Sequence, residues 1–112
     1  MIACIDVGSN SIKYRSYALL PQKNELKLNY YKRFPLRLGT EAFQKKEIQP
    51  KTIKKILKIF KEISDHALEE KIEEIYAVGT SALRTVNNSS WIKKKIKKKT
   101  GIKIKILSGK EL

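Results

Sequence analysis

The chain has 112 residues, and its hydrophobic content of 41% is enough to build one compact domain around a single core. Its 25 Lys and Arg outnumber its 11 Asp and Glu, and the resulting net charge of +14 favours contact with polyanions, whether polyphosphate, nucleic acid or an acidic protein. Charged residues interrupt every apolar run, and the N-terminus lacks a signal-peptide pattern. We therefore expect a single domain, residues 1–112, that makes no contact with membranes and is cytoplasmic.

The first third of the chain has the pattern of three successive antiparallel strands. Ile2 to Val7 is apolar up to an acidic residue, which predicts a buried strand that carries Asp6 to the edge of a sheet, with the only cysteine, Cys4, buried inside it. A tight turn follows. Loosely alternating apolar and polar residues then predict two further strands, Ile12 to Leu20 and Glu25 to Tyr31. Phe34 to Gly39 is expected to leave the sheet as a loop.

Helices and strands alternate in the rest of the chain. Past Pro50, apolar residues recur at helical spacing up to Leu68, which predicts a long helix on the core. Ile72 to Val78 predicts a short strand, and a second helix is expected to end at Gly101. Ile102 to Leu107 alternates Ile with Lys, as a strand with one wet face does. The order βββαβαβ predicts an α/β ribonuclease-H-like lobe with a mixed five-stranded sheet, without the closing helix of such a lobe.

The turn after the first strand has the composition of an anion-binding loop. Gly8 lets the backbone approach a bound anion, and Ser9, Asn10 and Ser11 add amide and hydroxyl donors for phosphate oxygens. Asp6 could hold Mg²⁺ through water, because hard cations prefer carboxylate oxygens. The alternative is an ordinary polar hairpin turn.

A second junction of strand and helix follows the short strand. Thr80 and Ser81 provide a pair of hydroxyls at the predicted start of a helix, and Arg84 lies one turn later, a combination suited to a phosphate oxygen. The alternative is that Thr80 or Ser81 is only an N-cap and Arg84 only a surface charge. Further along, Asn87, Asn88, Ser89 and Ser90 offer N-cap side chains for the second long helix.

Basic residues outside the two loops are candidates for polyanion contact. The exposed Arg37 and four lysines of the second long helix, Lys93, Lys94, Lys97 and Lys98, could bind polyphosphate or nucleic acid electrostatically. The lysines could equally be the solvated face of an amphipathic helix. Of the remaining chemistry-bearing side chains, His66 is expected to be solvated, whereas Phe60 and Trp91 are expected to pack in the core.

Together, these segments resemble the exopolyphosphatase / guanosine pentaphosphate phosphatase (Ppx/GppA) family. Ile5 to Ser11 reproduces the family's I-D-[IVL]-G-S-N-S motif, and Gly79 to Arg84 with Asn87 is similar to its A-T-S-A-L-R followed by N, with glycine in place of the first alanine. Arg37-Leu38-Gly39 matches an R-L-G element. Thr100-Gly101 and the segment Ser108 to Glu111 are similar to the family's T-G and S-G-x-E-E-A. The resemblance extends from Ile5 to Glu111.

The resemblance implies an N-terminal lobe of the actin-like / sugar kinase / heat-shock ATPase superfamily, in which two ribonuclease-H-like lobes clamp phosphate. Family members remove terminal phosphate from polyphosphate or guanosine pentaphosphate, usually with Mg²⁺. By position, Asp6 would organise metal or water, the serines and asparagine of the first loop would hold phosphate, and Arg84 would neutralise it. The chain departs from the family at its end, where Leu112 replaces the expected water-activating glutamate and leaves Glu111 as the nearest substitute base. The second lobe, with its own phosphate loop, is also missing.

Two functions follow as hypotheses. The first is a phosphohydrolase lobe that binds polyphosphate or guanosine pentaphosphate and is inactive alone. The second is a non-catalytic polyanion-binding module that uses the basic helix. A ribonuclease-H-like nuclease is rejected, because two metals need several carboxylates at strand ends and only Asp6 is well placed, so nucleic acid is an unlikely partner. Exposed apolar surface is expected to favour a homodimer or a complementary C-terminal lobe, through the sheet edge or the face near Leu107 and Leu112.

Overall fold

The computed structural model describes residues 1–108, which form a five-stranded mixed sheet with helices. The strands are β1 (Ile2–Val7), β2 (Ser11–Leu20), β3 (Glu25–Pro35), β4 (Glu74–Gly79) and β5 (Ile104–Ile106). The helices are α1 (Leu38–Lys45), α2 (Pro50–Glu69), α3 (Ser81–Thr85) and α4 (Ser89–Thr100). The sheet order is β3-β2-β1-β4-β5, with antiparallel β1–β2 and β2–β3 pairs and parallel β1–β4 and β4–β5 pairs. The predicted α/β fold with a mixed five-stranded sheet is confirmed.

The helices cover one face of the sheet. Alternate residues of β1, namely Ala3, Ile5 and Val7, are each 0% exposed, as expected for side chains that pack under helices. Cys4 lies between them on the opposite face and is exposed, so the prediction that it is buried was wrong. A central strand is buried on both faces only where helices or other elements cover both faces of the sheet. The helices within residues 1–108 cover one face, so Cys4 on the other face is exposed.

The long helix α2 packs as its apolar spacing predicts. Phe60 is 0% exposed, and Ile53, Ile56, Ile63 and Ala67 are also buried, whereas Leu68 at the end of the stripe is 75% exposed. On α4 the buried stripe is narrower and consists of Ile92 and Ile96. Trp91 lies beside that stripe and is 50% exposed, with the Lys95 ammonium 5.1 Å from the centre of its ring. The prediction of a core tryptophan was therefore wrong.

The sequence did not predict α1. Of the predicted loop, Phe34 to Gly39, only Leu36 and the exposed Arg37 lie outside regular elements. The chain enters α1 at Leu38. Arg37 makes no capping hydrogen bond from its side chain, so the start of this helix lacks the usual signal. Asn88 precedes α4 but does not cap it either. Its side-chain amide instead donates to the Ile48 carbonyl oxygen at 2.9 Å and accepts from the Ile48 N–H at 3.1 Å, which ties the loop before α2 to the start of α4.

His66 belongs to an aromatic cluster between α2 and the sheet, so the expectation of a solvated histidine was wrong. Its Nδ1 lies 2.7 Å from the Tyr14 hydroxyl, and its ring stacks on Tyr30 with centroids 4.2 Å apart. Tyr14 is 1% exposed. Burial, together with the charges of Tyr30 and Glu70, raises the pKa of Tyr14 to about 12.

The other face of the sheet carries exposed apolar side chains. Strand alternation and register place five large ones on this open face, at exposures from 44% to 56%: Leu19, Leu26, Leu28, Tyr31 and Tyr76. Arg15 lies among them, with its guanidinium 4.8 Å from the Tyr31 ring centre. Within residues 1–108, no helix combines the length and apolar character needed to cross a bilayer.

The raised pKa of Tyr14 predicts an alkaline loss of stability. The folded state holds this proton more tightly than the unfolded state, so the stabilisation is complete below the ordinary tyrosine pKa of 10 and is lost as pH rises toward about 12. The loss attributable to Tyr14 is up to about 2 kcal/mol. Tyr14→Phe should be less stable at neutral pH by about 1 kcal/mol, through the lost bond to His66, yet should lose less stability between pH 10 and pH 12.

Urea unfolding at a series of pH values measures this difference. Tyr31→Phe, at an exposed position on the open face, is the control and should keep the profile of the unmodified chain. Parallel alkaline profiles for Tyr14→Phe and the unmodified chain would show that Tyr14 does not carry the effect.

Candidate functional site

The two polar loops meet at one edge of the sheet. Parallel pairing sets Val7 at the end of β1 beside Gly79 at the end of β4, so the chain leaves both strands at the same edge. The Thr80 N–H donates to the Val7 carbonyl oxygen at 3.2 Å. The hydroxyl oxygens of Ser9 and Ser81 lie 3.0 Å apart, within hydrogen-bond distance. Hydroxyls separated by 72 positions in sequence therefore form one polar site.

The first loop is held from one side. A bond of 3.0 Å from the Gly8 N–H to the Ser11 carbonyl oxygen closes the turn. The carbonyl oxygens of Ser9 and Asn10 accept bonds from the Gly39 and Leu36 N–H groups, at 2.9 and 3.1 Å. A trans peptide places its N–H opposite its carbonyl, so the N–H groups of Asn10 and Ser11 point away from the β3–α1 connection. The first loop is therefore a β1–β2 hairpin turn that the β3–α1 connection also supports from one side.

Because Gly39 has no side chain, the β3–α1 connection can lie against the first loop. A Cβ atom at Gly39 would lie 3.2 Å from the Ser9 Cβ and 3.3 Å from the Phe43 ring, tighter than ordinary contact. Arg37 is exposed and lies between the two residues whose N–H groups bind the first loop. The structure therefore places the backbone of Arg37 beside the first loop. The glycine's role could not be found from sequence, because its contact with Ser9 is tertiary.

Asp6 has a buried oxygen that lacks a partner. It alternates with the core residues of β1 and so belongs to the open face, where the register places Lys13 and Val78 on either side. Its Oδ1 is buried and accepts no hydrogen bond from any residue within 1–108. Such an atom is costly to bury, so an unsatisfied carboxylate oxygen beside two phosphate-suited loops indicates a place for a ligand.

The donor set fits a particular kind of metal binding. Residues 1–108 contain no group of three or more His, Cys, Asp or Glu residues that could hold an ion between them. Mg²⁺ is commonly bound through one or two carboxylates while it keeps several waters and takes oxygens from substrate phosphates. The single carboxylate of Asp6 fits this arrangement and does not fit an all-protein cage.

Gly79, where β4 meets the second loop, leaves room for a neighbouring buried side chain. A Cβ atom on Gly79 would lie 2.6 Å from the Leu83 Cδ1, so the glycine makes room for a leucine that is 1% exposed. Thr80 stands at the N-cap of α3 but makes no side-chain capping bond, and only a 3.5 Å contact joins its hydroxyl to the Val7 carbonyl. The N-cap alternative is therefore not realised for Thr80. With five residues, α3 is too short for a substantial helix dipole.

Arg84 is exposed and links the second loop to the last strand. Its Nη1 donates to the Leu107 carbonyl oxygen at 2.8 Å, and the Leu107 N–H in turn donates to the Gly79 carbonyl oxygen at 2.9 Å. The guanidinium is thereby held near the end of β4, where the second loop begins. Arg84 is thus an exposed charge that one hydrogen bond attaches to the residue after β5.

The basic helix of the sequence analysis is α4, which follows the second loop and α3 in the chain. Lys93, Lys94 and Lys97 line a groove between α4 and β5, together with Lys103 and Lys105, which the sequence analysis did not single out. Ile104 is buried whereas Lys103 and Lys105 are exposed, so the predicted strand with one wet face is confirmed. Lys98 is exposed outside the groove. Glu111, the candidate substitute base, and Leu112 lie outside the described residues.

The unsatisfied oxygen of Asp6 predicts a gain of stability on its removal. In the absence of metal and phosphate, Asp6→Asn should raise the free energy of unfolding by about 1 kcal/mol, because it removes a charge whose Oδ1 has no partner. Asp65→Asn is a matched control, since Asp65 is exposed and forms only a surface ion pair with Lys61, and its effect should stay within about 0.5 kcal/mol. Urea denaturation measures both. A marked destabilisation by Asp6→Asn would mean that the carboxylate has a partner within the chain.

Comparison with known proteins agrees with this architecture. Residues 22–111 match the model of the Ppx/GppA phosphatase family. The crystal structure of an Aquifex aeolicus Ppx/GppA family member superimposes with a TM-score of 0.89 at 23% identity, over 96% of this chain and 35% of that one. An exopolyphosphatase from Cytophaga hutchinsonii superimposes with a TM-score of 0.90 at 22% identity, over 97% and 34%. No curated protein sequence matches.

This chain thus spans about a third of the length of those two solved chains. The family match covers most of the sequence, and the superpositions extend the likeness to the first loop. The chain belongs to the Ppx/GppA phosphatase family, and its fold is that of the family's N-terminal lobe.

Proposed function

We propose that this chain is a phosphate-binding lobe of a Ppx/GppA-type phosphohydrolase, and that its two loops hold the terminal phosphates of polyphosphate or guanosine pentaphosphate. The observation that carries the proposal is the meeting of the Ser9 and Ser81 hydroxyls at 3.0 Å, next to a carboxylate with an unsatisfied oxygen. The Cytophaga hutchinsonii protein of the same fold is described as an exopolyphosphatase, which supports this class of substrate.

Each loop contributes a different kind of group. Ser9, Asn10 and Ser11 supply backbone N–H, hydroxyl and amide donors, which suit the oxygens of a phosphate chain. Gly8, whose own N–H bonds to the Ser11 carbonyl oxygen, closes the turn that presents them. Thr80 and Ser81 add hydroxyls from the second side. Arg84 neutralises phosphate charge from its position at the end of β4. Arg37, beside the first loop, adds a second exposed cation.

Mg²⁺ is the metal that the family and the donor set favour. Asp6 would hold it, directly or through water, and when bound it would neutralise charge on the phosphate oxygens. The chain's own residues orient the phosphates, because the loop donors converge from two sides and their positions are fixed by backbone bonds.

Hydrolysis needs a further group that activates water. General-base catalysis requires a carboxylate or similar group within hydrogen-bond reach of the attacking water. The resemblance implies that a glutamate of the family's S-G-x-E-E-A motif has this role. Leu112 occupies its position in this chain, and Glu111 is the neighbouring substitute. We therefore propose that the lobe alone binds phosphate without turnover, and that a second lobe completes the site. The second candidate function, a non-catalytic polyanion-binding module, is favoured by the lysine-lined groove between α4 and β5.

Phosphate binding at the loops is tested by calorimetry with inorganic tripolyphosphate, with and without Mg²⁺. The chain should bind more tightly with Mg²⁺, and Asp6→Ala should remove the metal-dependent part. Arg84→Gln should weaken binding about tenfold or more, as expected for loss of a charge-assisted hydrogen bond. Arg33→Gln, which removes the same charge from an exposed position on β3, should weaken it far less.

The same protein is assayed for phosphate release. No release above a buffer blank is expected from polyphosphate or guanosine pentaphosphate. If the lobe alone releases phosphate, and Asp6→Ala abolishes that release, then the lobe needs no partner for hydrolysis. Equal losses of binding in Arg84→Gln and Arg33→Gln would mean that net charge alone attracts the anion.

The open face of the sheet predicts self-association or a complementary lobe. Exposed apolar patches of a few hundred Å² usually mark an interaction surface, and here they concentrate on β2 and β3, with Tyr76 on β4. The open face is thus added to the expected surfaces, the sheet edge and the face near Leu107 and Leu112; Leu112 lies outside the described residues. The net charge opposes association of copies, and salt should ease this repulsion.

Sedimentation at low and moderate ionic strength, at high micromolar concentration, tests this association. The unmodified chain should associate more at moderate ionic strength. Leu28→Ser should reduce association, whereas Leu68→Ser, at a more exposed position on α2, should not. A species that stays monomeric in both conditions would refute the idea.

A further inference from the structure

Glu41, a residue of α1, bonds to the start of α2. Its Oε1 accepts a hydrogen bond from the Gln49 N–H at 2.8 Å, and its Oε2 accepts one from the Thr52 hydroxyl at 2.5 Å. Gln49 is the N-cap residue of α2, and Thr52 is the third residue of that helix. Thr52 is 8% exposed, so one partner of this contact is buried. A side chain of α1 therefore fastens α1 to the first turn of α2.

The first turn of α2 lacks the groups that usually stabilise a helix N-terminus. Gln49 makes no capping bond from its side chain, and no acidic residue lies in the first turn. In a capping box, Glu or Gln at the third helical position accepts the N–H of the N-cap residue, but here that position is Thr52. Glu41 supplies the missing carboxylate from another helix, where the dipole of the 20-residue α2 favours negative charge. The contact therefore stabilises the start of α2 and restrains α1.

The restrained helix α1 contacts both loops of the candidate site. The Gly39 N–H, in the first turn of α1, donates to the Ser9 carbonyl oxygen at 2.9 Å. Leu38 and Ala42 are buried, and α1 packs against α3, the helix that begins at Ser81. A displacement of α1 would therefore act on the support of the first loop and on the helix that carries the second loop.

The connection between α1 and α2 is also bonded to the residues that follow α3. The Asn87 N–H donates to the Lys46 carbonyl oxygen at 2.8 Å, and the Asn88 side chain makes its two bonds to the backbone of Ile48. These contacts form a ring that leads from the first loop through α1, the start of α2 and the segment after α3 to the second loop. The two serine hydroxyls close the ring. Glu41 supplies its link between α1 and α2.

We propose that Glu41 is a positioning residue for the two loops. By holding α1 against the start of α2, its carboxylate keeps the first loop where the Ser9 hydroxyl meets the Ser81 hydroxyl. The bonds of Glu41 go to α2 and to neither loop, so Glu41 acts through α1. The inference rests on the proposed function for the ligand, which is phosphate, whereas the arrangement of the loops is independent of that function.

A positioning role and a role in helix capping alone predict different results. If Glu41 only capped α2, its loss would lower the stability of the chain and leave the affinity of the folded chain for phosphate unchanged. A positioning residue changes that affinity, because donors that are fixed in advance lose less freedom when the ligand binds. Loss of a glutamate also removes negative charge from a chain of net charge +14, which by itself favours anion binding. A weaker affinity is therefore opposite in sign to the effect of charge.

Calorimetry with inorganic tripolyphosphate and Mg²⁺, on the complete 112-residue chain, tests the role. Glu41→Ala removes both bonds to α2 and should weaken binding about fivefold or more. Glu41→Gln keeps an oxygen for the Gln49 N–H and an amide group for the Thr52 hydroxyl, so its affinity should stay within about twofold of that of the unmodified chain. Glu47→Ala, at an exposed position between α1 and α2, is the charge-matched control and should not weaken binding.

NMR spectra of the backbone amides, recorded without ligand, report on the loops directly. In Glu41→Ala the signals of Asn10 and Ser81 should shift, whereas in Glu41→Gln and Glu47→Ala they should keep their positions. Circular dichroism verifies that each variant is folded under the conditions of both measurements. Thr52→Val removes one of the two bonds and keeps the shape of the side chain, so it should change both readouts in the same direction by a smaller amount. It replaces Glu41→Ala if that variant does not fold.

The outcomes separate the positioning role from the proposed function. Unchanged affinity and unchanged loop signals in the folded Glu41→Ala variant would overturn the positioning role, whatever its loss of stability, and would leave the proposed function intact. An affinity of Glu41→Gln as low as that of Glu41→Ala would also overturn the role, because the hydrogen bonds would then not carry the effect. If the loop signals shift in Glu41→Ala but the unmodified chain binds no tripolyphosphate, the proposed function is rejected and the positioning role is supported.

Discussion

The parallel pairing of β1 with β4 is the contact on which the candidate site depends. It sets Val7 beside Gly79, and from there the chain enters two loops that are distant in sequence. The hydroxyl contact between Ser9 and Ser81, and the Thr80 N–H bonded to Val7, both follow from this register. A slip of one residue would turn Asp6 toward the helices and the core residues toward the open face, because strand side chains alternate. Core packing and site geometry therefore impose the same register.

Covering the sheet on one face only has two consequences. The helix-covered face holds the core, with Phe60, Ile92 and Ile96 against β1 and its neighbours, and accounts for the stability of the lobe. The open face holds Asp6, whose unsatisfied oxygen is a cost in the isolated lobe, and a band of exposed aromatic and leucine side chains. Functional sites commonly carry such unfavourable features, since a group that is satisfied within the protein is less able to bind a ligand.

Positive charge is distributed unevenly over this fold. The stretch without acidic residues contains the second loop's arginine and the lysines of α4 and β5, and the backbone bonds of Leu107 join these two regions. The second half of α2, by contrast, contains three acidic residues, and Lys61 pairs there with Asp65 at 2.7 Å. Acidic residues are therefore available within α2, whereas none lies between Ile75 and Lys110.

The sequence by itself determined the strands, α2 and α4, the tight turn before β2 and the glycine that ends α4, because each depends on local periodicity or on one backbone conformation. It also indicated both loops through their residue types. Only the tertiary structure decided that Cys4 faces outward, that His66 stacks on Tyr30 and that Trp91 remains half exposed, since these depend on which faces are covered. The support of the first loop by Gly39 and the groove that α4 and β5 line together are likewise tertiary, because the residues involved meet only when separate elements pack together.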